Sequence, residues 1–249
     1  MKIYEERAFD RLPDAVVFDF DNTMYPYDPA HSAAMAAVAA KAEVQISVSR
    51  DDFLSAFDEA RARTKATLGK TAAAHSRLLY FHKTFEVLGL KSQVFNALDF
   101  EQAYWRTFLA HQHLYEGARE LVEDLRAVGV PTAITTDLTS QIQFRKLVYT
   151  GLDRLFDHVV TSEEAGHDKP HPEMFSATMR KFGMTDGVVW MIGDDVPKDM
   201  EGAKATISAV TLLRCDAVPR IRPPSVDLAF SRFSDVRSVV SGLVRRMAS

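Results

Sequence analysis

The chain has 249 residues, of which 47% are hydrophobic and 26% charged, a composition typical of a soluble globular protein that forms one large domain or a domain with an insertion. Its formal net charge of -4 argues against nucleic-acid binding, which depends on neutralising phosphates, and no apolar run approaches the ~20 residues that a membrane span requires. The polar first residues lack the apolar centre of a signal peptide, so we expect a cytoplasmic protein, and a single cysteine, Cys215, excludes an intramolecular disulfide framework.

The first predicted strand, AVVFDF over residues 15–20, ends with two carboxylates on one face. Side chains alternate along an extended chain, so Asp19 and Asp21 point to the same side. If both were ionised at a separation of ~6 Å, they would repel by roughly 3 kcal/mol at an effective dielectric constant of about 20. A cation, a basic side chain or a bound proton would relieve this repulsion, whereas two aspartates in a solvated loop would need no such partner.

A long insertion follows this strand, because about 90 residues separate it from the next one, far more than a crossover needs. The pattern predicts four helices in the insertion: over residues 31–44, from Ser49 with Asp52 as its capping partner, over 71–88 up to Gly89, and over 99–113. We therefore predict an all-helical domain over residues 24–114, inserted between residues 1–23 and 115–249.

Strands and helices alternate after the insertion. Strand-length apolar runs span residues 130–136, 158–161, 187–192 and 207–213, and the amphipathic segments between them span residues 117–129, 139–151 and 171–183. This alternation predicts an α/β core with a Rossmann-like parallel sheet. Residues 216–249, which contain a short strand-like LAF and a tail helix, are expected to cover a sheet edge without a catalytic function.

Polar side chains follow several of these strands. Asp19 and Asp21 lie at the end of the first predicted strand. The end of the second strand carries Thr135, Thr136 and Asp137, the loop after the third carries Lys169, and the end of the fourth carries Asp194 and Asp195. Ligands of open parallel sheets bind at the carboxyl ends of the strands, so we expect these groups to converge. Carboxylates suit a hard divalent cation, and hydroxyl and ammonium groups suit a phosphoryl group.

These residues resemble the four ordered motifs of the haloacid dehalogenase (HAD) superfamily: DFDNT at 19–23, Thr135 at a strand end, Lys169 within GHDKPHPEMF, and GDDVPKD at 193–199. The resemblance covers residues 15–213, and the helical insertion stands where that family carries a C1-type cap. It implies a phosphatase that requires Mg²⁺ and forms an aspartyl phosphate on Asp19.

The resemblance also implies a role for each motif residue. Asp19 would be the nucleophile, and Asp21 would protonate the leaving oxygen and then activate water. The Mg²⁺ ligands would be the carboxylates of Asp19 and Asp194 and the backbone carbonyl of Asp21. Asp199 or Asp195 would orient these ligands. The phosphoryl group would be bound by Thr135, Thr136, Lys169 and Asn22.

Two departures and three alternatives stand beside this hypothesis. The family often has Asn-Gly where this chain has Thr136 and Asp137, so a negative charge lies near a site for a dianion, and position 22 is Asn rather than Gly. A phosphomutase or a haloacid dehalogenase would share the fold, although a dehalogenase does not need Asp21. A catalytically silent binding module would usually have lost one of the motif residues.

We expect a small phosphate ester as the substrate, either a nucleotide or a sugar phosphate, because a phosphoprotein could hardly enter beneath a cap. Candidate substrate-reading residues in and before the cap are Tyr25, Tyr27, His75, Arg77 and His82. The oligomeric state has no signature in the sequence.

Overall fold

The computed structural model describes residues 1–247, which divide into two compact units: Met1–Pro26 with residues 113–247, and Tyr27–Gln112. The sequence prediction placed the boundaries at 23/24 and 114/115. The predicted core segment runs to residue 249, and its last two residues, 248 and 249, lie outside the described residues. The function of the helical unit as a cap remains a prediction.

The helical unit contains four α-helices within the described chain: α1 (Tyr27–Gln45), α2 (Arg50–Leu68), α3 (Arg77–Val87) and α4 (Val94–Ala110). Helix α2 begins where Ser49 accepts a hydrogen bond from the backbone N–H of Asp52, as the capping pair predicts. Aromatic rings fill the interior, and Phe81 lies 5.3 Å from Phe57 and 6.1 Å from Phe100 between ring centroids.

The prediction of one helix over residues 71–88 was wrong. The structure has a short 3₁₀ turn at Ala72–His75 and begins α3 at Arg77. Ser76 between them is extended, and its side chain accepts a hydrogen bond from Leu79 N–H. A serine whose oxygen caps a new helix competes with continuation of the preceding turn, which explains the break.

The other unit is built on a sheet that has seven strands within residues 1–247: β1 (Lys2–Ile3), β2 (Ala15–Phe18), β3 (Thr132–Thr136), β4 (His158–Thr161), β5 (Val189–Gly193), β6 (Val210–Arg214) and β7 (Leu228–Phe230). The order is β1-β7-β6-β5-β2-β3-β4, and all neighbours are parallel except β1 and β7. This confirms the predicted parallel α/β sheet. The LAF segment enters the sheet as β7, and the antiparallel edge strand β1 was not predicted.

Six α-helices surround the sheet within the described residues: α5 (Ala118–Ala127), α6 (Ser140–Tyr149), α7 (Ser162–Ala165), α8 (Pro172–Phe182), α9 (Gly202–Ile207) and α10 (Phe233–Met247). Helix α8 packs on β3 and β4, and its Met174 and Phe175 join Val17 and Met191 in an apolar cluster. All four residues of β2 are buried, as expected for a central parallel strand covered on both faces.

The chain order of the strands reverses at the centre of this sheet. From β2 the chain adds β3 and then β4 on one side, and it returns to place β5 on the other side of β2. The connections after β2 and β5 therefore diverge, and the crevice at their carboxyl ends is where ligands of such sheets bind. Asp19 follows β2 and Asp194 follows β5.

Candidate active site

Asp19 lies one residue past β2 and is almost completely buried, with 6% of its surface exposed. Its backbone N–H donates to Ile192 O of β5 at 2.8 Å, which holds it between the two central strands. The Lys169 ammonium donates to one carboxylate oxygen at 2.5 Å, and the Thr23 hydroxyl donates to the other at 2.8 Å. Both oxygens of Asp19 thus have fixed donors, although burial, which outweighs the attraction of Lys169, raises its pKa.

Lys169 bridges two carboxylates. Its ammonium, 2% exposed, also donates to Asp199 at 2.7 Å. Burial alone would lower the pKa of Lys169, but the attraction of Asp19 and Asp199 outweighs burial and holds this pKa well above its usual value. The ammonium is therefore charged throughout the ordinary pH range.

Asp137, whose charge was the first departure from the family pattern, is tied to the Lys169 loop. Its carboxylate accepts a hydrogen bond from the Lys169 backbone N–H at 2.8 Å and lies 3.1 Å from the Lys198 ammonium. The sequence reasoning did not single out Lys198, whose charge balances that of Asp137.

Three carboxylates form a cluster, since oxygens of Asp19, Asp194 and Asp199 all lie within 4.8 Å of one another. Burial raises the pKa of Asp194 to about 8, and repulsion by Asp19 and Asp199 adds to the effect. Burial likewise raises the pKa of Asp199 to about 7 against the attraction of Lys169. Gly193 permits this approach, because a Cβ there would lie 2.6 Å from atoms of the Asp199 side chain.

The cluster has the chemistry of a divalent-cation site. It gathers hard oxygen donors whose combined charge exceeds that of the ammonium of Lys169. Burial, with repulsion between the carboxylates added to it, raises the pKa values of Asp194 and Asp199. The oxygens of Asp199 accept from Lys169 and from the Asp195 N–H at 3.1 Å, whereas Asp194 lies 3.2 Å from the Thr23 hydroxyl, which donates its one proton to Asp19. This difference suits Asp194 to bind a cation and Asp199 to orient the site.

Asp21 does not join this cluster. Lys146 of α6 donates to its two oxygens at 2.8 and 2.9 Å, the Tyr25 hydroxyl donates to Oδ1, and Gln143 approaches Oδ2 at 3.4 Å. Burial would raise the pKa of Asp21, but Lys146 and the other donors outweigh it and lower this pKa below its usual value. The repulsion expected between Asp19 and Asp21 is thus met by two separate lysines.

The two threonines of β3 point to opposite faces. The Thr135 hydroxyl is fully buried and lies 2.6 Å from that of Thr178 on α8. The Thr136 hydroxyl accepts from Gln143 at 2.8 Å, and that amide also reaches Asp21. Both threonines were predicted to contact the phosphoryl group; of the two, Thr136 is the one that shares the Gln143 amide with Asp21.

The remaining core predictions fall beside these groups. Asn22 has a φ of 63°, a left-handed conformation that Asn tolerates better than most residues. Asp195 caps the π-helical turn Val196–Glu201 by accepting from the Lys198 N–H at 3.0 Å.

The predicted substrate-reading residues divide between the two units. Tyr25 belongs to the sheet unit, where its hydroxyl contacts Asp21. In the helical unit the Arg77 guanidinium donates to the Tyr27 hydroxyl and to the His75 carbonyl at 2.8 Å, and His82 pairs with Glu86 at 3.7 Å.

Sequence reasoning missed Thr23, Gln143 and Lys146. Thr23 stands four residues after Asp19 within the quoted motif, so its position offered a signal. Gln143 and Lys146 lie three apart on α6, where a lysine in an amphipathic helix ordinarily indicates a solvated face.

Comparison with known proteins decides the family. A family model for haloacid dehalogenase-like hydrolases matches residues 13–206. The chain belongs to this family. The hydrolase is 38% identical over 195 residues, which cover 78% of it and 82% of the relative, to a ribulose-1,5-bisphosphate 5-phosphatase of Halopiger xanaduensis. It is 26% identical over 236 residues, 93% of the chain and 98% of the relative, to a glyceraldehyde 3-phosphate phosphatase of Methanopyrus kandleri.

Solved structures share the fold of the hydrolase. A HAD hydrolase of Bacillus subtilis bound to magnesium superposes with a TM-score of 0.69 at 19% identity, covering 91% of this chain and 98% of that one. A HAD phosphatase of Thermococcus onnurineus superposes with a TM-score of 0.64 at 23% identity, covering 92% and 98%. In the part of the chain that the structure describes, all helices are too short or too polar to span a membrane.

Proposed function

We propose that this hydrolase is a magnesium-dependent phosphomonoesterase that acts on a small phosphorylated metabolite through an aspartyl phosphate on Asp19. The observation that carries the proposal is the buried Asp19 carboxylate, fixed by Lys169 and Thr23 beside the carboxylate of Asp194. A carboxylate held in this way can attack phosphorus, and splitting the reaction into two displacements lowers the barrier of each.

Each nearby group has a role in this chemistry. The carboxylates of Asp19 and Asp194 and the carbonyl of Asp21 would hold Mg²⁺, which, when bound, neutralises charge that develops on the phosphoryl oxygens. Lys169 binds a phosphoryl oxygen and keeps Asp19 oriented, and Asp199 orients Lys169. We propose Thr136, rather than Thr135, as the phosphoryl-binding hydroxyl, together with the backbone of Asn22.

Asp21 is the group that transfers a proton in both steps. Because its pKa is lowered, Asp21 must first take up a proton from solvent. As the ester bond breaks, it gives this proton to the leaving oxygen; in the second step its carboxylate takes a proton from the water that attacks the phosphoryl group, which regenerates Asp19 and the protonated Asp21. A dehalogenase does not need a group in this position, so the fixed carboxylate of Asp21 supports phosphoryl transfer.

We further propose a phosphorylated sugar as the substrate and residues 27–112 as the cap that reads it. The names of the two relatives support a sugar phosphate over a nucleotide, since both are phosphatases of phosphorylated sugars.

A colorimetric assay tests the proposal. We expect p-nitrophenyl phosphate and a panel of sugar phosphates to be hydrolysed with Mg²⁺, not with excess EDTA, and not by Asp19→Asn. Release of chloride from a chlorinated carboxylic acid, without turnover of any phosphate ester, would refute the phosphatase and support the dehalogenase.

A further inference from the structure

Lys146 is a fully buried lysine that faces Asp21. Its side chain has no exposed surface, whereas that of Asp21 is 28% exposed. Removing an ammonium from water costs several kcal/mol unless a charged partner compensates, so such a lysine is seldom kept in a protein interior without a specific partner. Here the ammonium lies within 3 Å of both oxygens of one carboxylate.

The arrangement fixes the carboxylate from more than one side. The Tyr25 hydroxyl donates to the same oxygen as Lys146 does, and the Tyr25 ring lies 5.9 Å from the ammonium. Gln143, one helical turn before Lys146, reaches the second oxygen and also the Thr136 hydroxyl. Helix α6 thus presents two side chains that orient Asp21 against the end of β3.

This orientation matters because the backbone alone does not fix the Asp21 side chain. The residue lies beyond β2, outside the sheet hydrogen bonds, where an aspartate with part of its surface in water would sample several rotamers. Proton transfer requires the carboxyl group within about 3 Å of the leaving oxygen, and a displacement of about 1 Å costs as much as 100-fold in rate.

We propose that Lys146 is a positioning residue for the proton-transfer step: its ammonium holds the Asp21 carboxyl group where it can exchange a proton with the leaving oxygen. This inference rests on the proposed function. The proton passes from Asp21 to the leaving oxygen as the P–O bond breaks.

Leaving-group dependence separates this role from a structural one. The p-nitrophenolate of p-nitrophenyl phosphate departs without a proton, whereas the alkoxide of a sugar phosphate needs one. We expect Lys146→Met to reduce kcat/KM for the best sugar phosphate of the panel at least ~10-fold more than kcat/KM for p-nitrophenyl phosphate, since general acid catalysis contributes about 10²–10⁴-fold. The ratio kcat/KM reports the step in which the leaving group departs, whereas hydrolysis of the aspartyl phosphate is common to both esters. Asp21→Asn should show the same selectivity more strongly, and adding Lys146→Met to it should cause no further selective loss.

Lys146→Met should fold, because Met fills a similar volume in the apolar interior and the exposed part of Asp21 can remain hydrated. Lys146→Gln, which keeps a donor but no charge, is the second variant if the first is insoluble. Lys204→Met is the matched control: Lys204 lies 2.6 Å from the buried Asp227 in the same unit, and its loss should leave the ratio of the two kcat/KM values unchanged.

An equal loss of kcat/KM for both esters, or no loss, in the soluble Lys146 variant would overturn the inference while leaving the phosphatase intact. Failure of the wild-type protein to hydrolyse either ester would instead refute the proposed function, and the inference with it.

Discussion

Replacing Asp194 by Asn should stabilise the metal-free protein while it abolishes activity. In the folded state the oxygens of Asp194, Asp19 and Asp199 lie within 4.8 Å of one another. At this distance and an effective dielectric constant of about 20, each ionised pair repels by about 3 kcal/mol. Bound protons relieve part of this repulsion near neutral pH, so we expect Asp194→Asn to raise the free energy of unfolding at pH 8 by about 1–3 kcal/mol.

The pH dependence identifies the cause. The pKa of Asp194 is raised to about 8 in the folded state by burial and by its acidic neighbours, above the ordinary value of 3.8 that it regains on unfolding. The folded state therefore binds the extra proton, and the metal-free wild-type protein loses stability as pH rises from about 4 to 8. Asn cannot titrate, so the gain from Asp194→Asn should be large near pH 8 and small near pH 5.

Thermal unfolding in EDTA measures this difference. For a chain of this size, each kcal/mol of added stability raises Tm by about 2–4 °C, and the expected gain is about 1–3 kcal/mol. Asp195→Asn is the matched control, because it removes the neighbouring charge outside the cluster and keeps a capping side chain. An Asp194→Asn protein whose Tm in EDTA gains no more at pH 8 than at pH 5 would refute the electrostatic reasoning.

The other predictions concern the metal, the ammonium and the hydroxyl at the site. Mg²⁺ at 100 times its Kd should raise the free energy of unfolding of the wild-type protein by about 2.7 kcal/mol, and with it the Tm. Differential scanning fluorimetry should show no such rise in Tm for Asp194→Asn. Lys169→Met should abolish turnover and lower the urea midpoint by the equivalent of about 3–5 kcal/mol, because it leaves buried carboxylates without their cation; an unchanged midpoint would contradict this. Thr136→Val should raise KM for a phosphate ester by roughly 10-fold, as expected for a lost hydrogen bond to a charged group. Thr135→Val should leave KM unchanged and lower the free energy of unfolding by only about 1 kcal/mol. A rise in KM for Thr135→Val alone, measured in steady-state kinetics, would contradict this assignment.

The fold could be predicted largely from the sequence because its signals are local. Short apolar runs that alternate with amphipathic segments indicate a parallel sheet, and both the central strands and the LAF strand appear in the structure. The long helix over residues 71–88 failed because helical periodicity continues across Ser76 although a capping serine divides the backbone there. The two-residue edge strand β1 is too short to carry a pattern.

The candidate site also contains residues that the sequence predicts and residues that it does not. The motifs place Asp19 and Asp194 at the ends of adjacent strands, and the structure brings them together with Lys169 and Asp199. The contact between Asp21 and Lys146 could not be predicted from the sequence, because the two residues are far apart along the chain. A lysine on an amphipathic helix is usually solvated, and only the fold shows that Lys146 is buried.

Threonine orientation needed the structure for a different reason. Two consecutive hydroxyls at a strand end are equivalent in composition, and only the register of β3 decides which one faces α8. The sequence therefore placed both hydroxyls at the phosphoryl group, whereas the structure turns them to opposite faces of β3.

Trapping the phosphorylated enzyme tests the central claim most directly. The wild-type protein is mixed with Mg²⁺ and the best phosphate ester, quenched in acid during turnover, digested with pepsin and mapped by mass spectrometry. The account predicts one added phosphoryl group on the peptide that carries Asp19, absent from Asp19→Asn. Steady release of phosphate without this modification, or equal turnover by Asp19→Asn, would contradict it.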